Sequence, residues 1–198
     1  MGIWGRRSCM AAIVHKTSVL KPLHTNWHVL TGAPCAGKTT LIEMLAGRGY
    51  RVVHEVARAY IDGQLSQGRT LAQIKADPAA FERTILLEKV RGEKALPPEE
   101  LIFLDRAVPD SIAYYRFEGL DPDEPLSYSR SMRYKTIFLL DRLLFQKDAV
   151  RSESEKAADL LDALIAQAYA GLGYEPVRVP VLPVDQRLDF ILQRAFAR

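Results

Sequence analysis

Residues 27–40 read Trp-His-Val-Leu-Thr-Gly-Ala-Pro-Cys-Ala-Gly-Lys-Thr-Thr, and this stretch decides the fold. A short β-prone segment, Trp27 to Thr31, leads directly into the pattern Gly-x-x-x-x-Gly-Lys-Thr. The spacing of Leu41 and Ile42 then indicates a helix. A glycine-rich turn between a strand and a helix folds so that its backbone N–H groups surround a phosphate. The stretch therefore predicts a P-loop, a nucleotide-binding turn.

The predicted loop assigns each of its residues to the nucleotide. Lys38 supplies a positive charge for the β- and γ-phosphates, and the Thr39 hydroxyl is a ligand for Mg²⁺. ATP is the predicted nucleotide, because the chain has no guanine-recognition motif, although GTP stays open. The predicted nucleotide-binding residues are Gly32, Ala33, Pro34, Cys35, Ala36, Gly37, Lys38, Thr39 and Thr40.

Outward from the loop, strand-like and helix-like segments alternate along the chain. This alternation predicts an α/β fold in three layers, a parallel five-stranded sheet with helices on both faces. Asp110 is predicted to cap a helix, and the Pro- and Asp-rich residues 119–125 are predicted as a loop. The predicted strands cover 27–31, 50–54, 101–104, 136–140 and 175–180, and the predicted helices cover 38–48, 56–67, 78–95, 110–117, 156–172 and 183 onward.

Composition limits the other classes of function. Lys and Arg number 27 and Asp and Glu 24, a net charge of +3, which is too small to favour a nucleic-acid partner. Two cysteines exclude a disulfide framework. No apolar run approaches the ~18 residues of a transmembrane segment. We expect a cytoplasmic protein with a loosely ordered extension over 1–25 and a single domain over 26–198.

Charged residues beyond the loop are candidates for the rest of a site. Asp105 ends the buried run 101–104, where a carboxylate can hold Mg²⁺, although a plain turn cap has the same pattern. Glu55 and Arg58 follow the second strand. Glu55 could present its carboxylate to an acceptor hydroxyl and Arg58 its guanidinium to the substrate, but ordinary solvated charges at the start of a helix give the same pattern. Arginine forks can neutralise a transferring phosphoryl group; the candidates are Arg106, Arg130, Arg133 and Arg142. The charged segment 148–151 suits a lid.

With these residues assembled, the chain resembles the P-loop family typified by the ribosylnicotinamide kinase domain of NadR-type proteins, often labelled an AAA-type ATPase. The likeness runs from about Trp27 to Phe196. Its pieces are residues 32–39, 55–58, 103–106, 114–119 and 148–151. The resemblance implies strand order 2-3-1-4-5 with a small helical lid, places Asp105 and Glu55 toward acceptor and metal, and assigns Arg151 to the lid.

Two functions follow as hypotheses. The first is an ATP-dependent small-molecule kinase that transfers the γ-phosphoryl group to a hydroxyl of a nucleoside-like acceptor. Its catalytic residues would be Lys38, Glu55, Asp105 and Arg151, its substrate residues Glu55, Arg58 and Arg106, and its metal ligands Thr39 and Asp105. The alternative is a regulatory, nucleotide-dependent ATPase- or GTPase-like binding protein with a protein or phospholipid partner. The oligomeric state is left open by the sequence.

Overall fold

The computed structural model describes residues 21–143 and 152–197. In chain order the strands are β1 (Leu23–His24), β2 (Trp27–Thr31), β3 (Arg51–Val53), β4 (Ile102–Asp105), β5 (Met132–Arg133), β6 (Thr136–Leu140) and β7 (Val177–Val179). The helices are α1 (Lys38–Gly47), α2 (Val56–Ser66), α3 (Leu71–Ile74), α4 (Pro78–Lys94), α5 (Asp110–Phe117), α6 (Asp123–Ser129), α7 (Ser152–Gly171) and α8 (Val184–Ala195).

The main sheet has five strands in the order β3-β4-β2-β6-β7, and every neighbouring pair is parallel. Numbered among themselves along the chain, these strands have the order 2-3-1-4-5. This confirms the fold class and the topology that the resemblance implied. β2 lies at the centre, so the loop that follows it meets the carboxyl ends of both neighbouring strands.

Helices cover both faces of the sheet, because side chains alternate between the faces along each buried strand. Val29 and Leu104 pack with Ile112 of α5 and Tyr169 of α7 on one face. Leu30, Phe103 and Phe138 pack with helices α1 and α8 on the other. The continuous apolar strands of the sequence are therefore explained by burial on two sides.

Local start signals position the long helix α4 as expected. The Asp77 carboxylate accepts a hydrogen bond from the Ala80 amide at 3.0 Å, and Pro78 occupies the first helical position. Such a cap stabilises a helix by about 1 kcal/mol, and proline at this position loses no intrahelical bond.

Two local predictions are wrong. Residues 119–125 are not all loop, because α6 begins at Asp123. Acidic residues in a first turn and a proline at the third position are compatible with a helix start. Asp110 does not cap α5, since Pro109 holds that position and the Asp110 carboxylate accepts a hydrogen bond from the Ala107 amide. The short helix α3, with its Thr70 capping box, was not predicted.

A two-stranded parallel sheet joins β1 to β5. The Leu23 amide donates to the carbonyl of Ser131 at 2.9 Å. Regular structure therefore begins before the expected boundary at residue 26, because these residues gain backbone partners about 110 positions away. Residues 1–20, and the lid segment 148–151 with Arg151, lie outside the described residues. Across the described ranges, no helix is both long and apolar enough to cross a membrane.

Candidate functional site

The loop between β2 and α1 depends on glycine at two positions. Gly32 has φ +138°, and a Cβ there would lie 2.7 Å from the carbonyl oxygen of Leu140, at the end of β6. Gly37 has φ +81° at the N-cap of α1. Any other residue would be strained at both positions. The glycines of the motif therefore let the loop pack against β6 and turn sharply into the helix.

Lys38 lies inside the loop. Its side chain is largely buried, and Nζ donates to the carbonyl oxygens of Gly32 at 3.1 Å and Ala33 at 3.0 Å. Burial and the positive charge of Arg106 lower the pKa of Lys38 to about 8. Because its hydrogen-bond partners are neutral carbonyls, this buried cation gains strongly from an anion at hydrogen-bond distance. Thr39 and Thr40 are exposed beside it, at the start of α1.

Asp105 adjoins the start of the loop. It is the last residue of β4, pairs in register with Leu30, and is 4% exposed. Its Oδ1 is buried and has no hydrogen-bond partner within the described ranges. Burial, with the negative charge of Glu55, raises the pKa of Asp105 to about 6.

This oxygen fits a hard cation. Mg²⁺ takes oxygen ligands and is held in proteins through one or two side chains together with substrate phosphates and water. The carboxylate of Asp105 and the hydroxyl of Thr39 present oxygen atoms of this kind. Among the described residues, no three acidic, histidine or cysteine side chains gather as a metal cage. The donor set therefore suits an ion that arrives with a phosphate.

Arg106 joins two carboxylates beside the loop. Its Nε donates to Oε1 of Glu55 at 2.8 Å, and its NH1 donates to Oδ1 of Asp110 at 3.2 Å. Burial alone would raise the pKa of Glu55, but the charges of Arg106 and Lys38 and the hydrogen bond hold it below its usual range. Glu55, at the N-cap of α2, is therefore ionised at neutral pH.

Asp110 anchors this pair from behind. Its Oδ2 accepts hydrogen bonds from the Ala107 amide at 2.9 Å and from the Tyr169 hydroxyl at 2.6 Å, and Oδ1 accepts one from Thr31. The side chain is fully buried. A buried carboxylate with these partners fixes the orientation of the Arg106 guanidinium.

A cavity of about 930 Å³ extends from Glu55 and Arg106 to the tip of the loop. Pro34 and Cys35 of the loop line it, as do the predicted residues Glu55, Arg58 and Arg106. Apolar and aromatic side chains from α2, α4 and α5 complete much of the wall. Two buried polar residues of the lining, Glu82 and Lys89, were not predicted, because their burial on α4 depends on packing that no local pattern reports.

The remaining candidate arginines differ in position. Arg142 lines the cavity and pairs with Asp159 at 3.2 Å. Arg133 instead donates to the carbonyl of Leu172 and stacks on the ring of Tyr174, and it does not line the cavity. Arg130 does not line the cavity either.

Arg187 of α8 contacts the loop and was also missed. Its NH1 donates to the carbonyl oxygen of Ala36 at 2.8 Å, and its NH2 donates to that of Asp141 at 3.2 Å. The residue is 2% exposed. Its place in the sequence, inside an amphipathic helix 149 residues after Lys38, carries no signal of this contact.

Solved structures with the same fold include nucleoside and nucleotide kinases and a NadR protein. Thymidylate kinase from Ehrlichia chaffeensis has a TM-score of 0.61 at 11% identity, with 87% of this chain and 99% of that chain covered. Deoxyadenosine kinase from M. mycoides has a TM-score of 0.56 at 17% identity, with 85% and 97% covered.

The NadR protein in complex with NR has a TM-score of 0.66 at 15% identity, with 88% of this chain and 52% of that chain covered. The present chain thus spans about half the length of that protein. These likenesses establish a P-loop fold of the nucleoside-kinase type.

Sequence comparison gives the family itself. No curated protein sequence matches the chain. The profile of a family described as an AAA domain matches residues 27–187, which is most of the chain and includes the loop, Glu55, Asp105 and Arg106. The chain therefore belongs to this AAA domain family of P-loop proteins.

Proposed function

We propose that the protein is a Mg²⁺- and ATP-dependent small-molecule kinase that phosphorylates a hydroxyl of a nucleoside-like acceptor. One observation carries the proposal: the cavity that is lined by Glu55 and Arg106 is also lined by Pro34 and Cys35 of the loop. An acceptor bound in this cavity would therefore lie next to the phosphates of a nucleotide on the loop.

At the triphosphate end, the loop amides and Lys38 would bind the β- and γ-phosphates. The ammonium group already lies in the loop, with Gly32 and Ala33 as its partners. Asp105 and Thr39 would hold Mg²⁺, whose charge neutralises the phosphate oxygens when bound. Thr40, at the exposed start of α1, is available to the same phosphates.

At the acceptor end, Glu55 would receive the hydroxyl proton. Arg106 holds Oε1, whereas Oε2 has no hydrogen-bond partner within 21–143 and 152–197. The acceptor oxygen would bond to the γ-phosphorus while the bond from that phosphorus to the β–γ bridging oxygen breaks. The proton passes to Oε2 and ADP leaves. Because Glu55 is ionised, it also orients the hydroxyl before transfer.

Arginines would complete the site. Arg106 and Arg58 line the acceptor cavity and would contact the acceptor or its developing phosphoryl group. We assign Arg151 to a lid over the nucleotide on the resemblance alone.

The experiment is ADP release from ATP and Mg²⁺, with and without a panel of nucleosides that includes nicotinamide riboside. We expect release only with an acceptor, and its loss in Glu55→Gln with ATP affinity retained. Glu88→Gln is the matched control, because the Glu88 side chain is 40% exposed and pairs with Arg91 at the surface.

Acceptor-independent release that is unchanged in Glu55→Gln would overturn the proposal. ATP binding without release under any condition would favour the regulatory alternative, with a protein or phospholipid partner.

A further inference from the structure

Helix α4 contributes two buried charged residues of opposite sign to the cavity. Glu82 is 7% exposed and Lys89 is 5% exposed, and both line the cavity. Seven residues span about two helical turns, so both side chains lie on one face of α4. The exposed charged residues that line the same cavity are different, because water solvates them: Arg58, Asp62, Lys75, Glu118 and Glu155.

Neither buried charge has a full set of partners. The Glu82 carboxylate makes no hydrogen bond within the described residues, and Lys89 Nζ makes one, to the hydroxyl of Ser111 at 3.2 Å. The two side chains do not form an ion pair with each other. Burial raises the pKa of Glu82 and lowers that of Lys89. Buried charges without partners are costly, and a bound ligand can supply the missing partners.

The surrounding wall favours a flat ligand. Phe81 and Ile85 of α4, and Tyr114 and Phe117 of α5, line the same cavity. Aromatic and apolar side chains of this kind bury a planar ring, and a few polar groups then determine its orientation. A carboxylate accepts hydrogen bonds and an ammonium group donates them.

We propose that Glu82 and Lys89 together bind the edge of a planar ring that carries an N–H donor beside a C=O or ring-nitrogen acceptor. The donor faces Glu82 and the acceptor faces Lys89. A primary carboxamide on a pyridine ring and the amino edge of a nucleobase share this chemistry. A ring carboxylate does not, because it has no donor and repels Glu82.

This inference rests on the proposed kinase function, since it describes the acceptor of that reaction. The experiment compares two pairs of ribosides as acceptors. The first pair is nicotinamide riboside and nicotinic acid riboside. The second is cytidine and pyrimidin-2-one riboside, which lacks the amino group. The two members of each pair differ only at the ring edge. The pair that contains a substrate shows whether the cavity takes a pyridine carboxamide or a nucleobase.

We expect kcat/KM to favour the donor-bearing member of the active pair by about tenfold or more, because the site leaves Glu82 unpaired with the other member. Glu82→Gln should reduce this ratio to about one, since a glutamine amide both donates and accepts. Glu88→Gln should leave the ratio as it is in the wild type.

The failures are distinguishable. Turnover with equal preference inside each pair, unchanged in Glu82→Gln, overturns the subsite and leaves the kinase intact. Without turnover, ligand-induced shifts in melting temperature decide: if the same preference appears in binding and is lost in Glu82→Gln, the subsite stands and the kinase fails. If no riboside binds, both are overturned.

Discussion

The guanidinium of Arg187 donates to the carbonyl oxygen of Ala36 at 2.8 Å, joining the last helix to the phosphate loop across 151 positions. The same group donates to Asp141 at the end of β6. It also lies 3.2 Å from where a Cβ on Gly37 would be. The loop is therefore held from behind by a buried cation, which adds positive potential without reaching solvent.

Arg187→Met should weaken ATP binding. The change removes two hydrogen bonds to carbonyls that become unpaired, at a cost of about 1–3 kcal/mol, and removes a positive charge beside the loop. We expect ATP affinity, measured by calorimetry, to fall about tenfold. Arg194→Met, on the same helix, is the control, and equal affinities in the two variants would contradict the assignment.

Lys38→Ala should abolish the increase in melting temperature that ATP causes. Within the part of the chain that the structure describes, its hydrogen bonds go to backbone carbonyls of the loop, so the core clusters stay intact and the fold should survive. Circular dichroism checks the fold, and Lys94→Ala, an exposed lysine at the end of α4, is the control. A full ATP-induced shift in Lys38→Ala would show that the loop does not bind the triphosphate.

Asp110→Asn should lower kcat more than it weakens ATP binding. The amide removes the negative charge opposite Arg106, so Glu55 is the one salt-bridge partner of the guanidinium left among the described residues. Breaking a buried ion pair costs about 3–5 kcal/mol, which denaturant unfolding measures. A loss of stability with unchanged kcat would mean that Asp110 supports the fold and does not position Arg106.

Glu93→Gln should make the protein less sensitive to rising pH. Glu93 is buried, accepts hydrogen bonds from Tyr134 and the Val108 amide, and burial raises its pKa from 4.5 to about 7. The folded state therefore binds more protons than the unfolded state between these values, and stability falls as pH rises from 4.5 to 7.

Because glutamine does not ionise, the free energy of unfolding of the variant should lose this dependence on pH. Above pH 7 it should exceed that of the wild type by about 1–3 kcal/mol. Thermal unfolding across the pH range tests this. A parallel slope in both proteins would contradict the assignment.

His28→Phe should make the protein less sensitive to falling pH. The imidazole is buried in β2, stacks on Phe103 at 5.2 Å, and has no hydrogen-bond partner for either nitrogen among the described residues. Burial lowers its pKa to about 4, so wild-type stability falls as pH drops from 6.5 to 4. A phenylalanine keeps the stacking and removes this loss, which unfolding measured at both ends of the range would reveal.

Local signals made the fold and the loop predictable. The order of strand, glycines and helix around Lys38, and the cap at Asp77, act over a few residues, so the sequence displays them directly. The position of Asp105 at the end of β4 was predictable too, because it ends a continuous apolar run. α6 was not predicted because the proline and acidic residues at its start are typical of a turn. The same residues are compatible with the first turn of a helix.

Tertiary contacts explain what could not be predicted. Glu82 and Lys89 look like ordinary surface charges on an amphipathic helix until packing buries their face. Arg187 is close to the loop only because the sheet brings β6 and α8 together. Asp110 accepts a hydrogen bond from Tyr169, 59 residues later in the chain. Patterns of neighbouring residues give no information about a contact over such a separation.

The reactivity of the Cys35 thiol can report whether the loop holds a nucleotide. Its thiol is exposed at the tip, in a backbone conformation with φ +62°, and it lines the cavity. A small alkylating reagent can therefore reach it, and a nucleotide seated on the loop would shield it. The mass of the peptide that contains Cys35 then records occupancy of the loop in the unlabelled, native chain, even in a mixture of proteins.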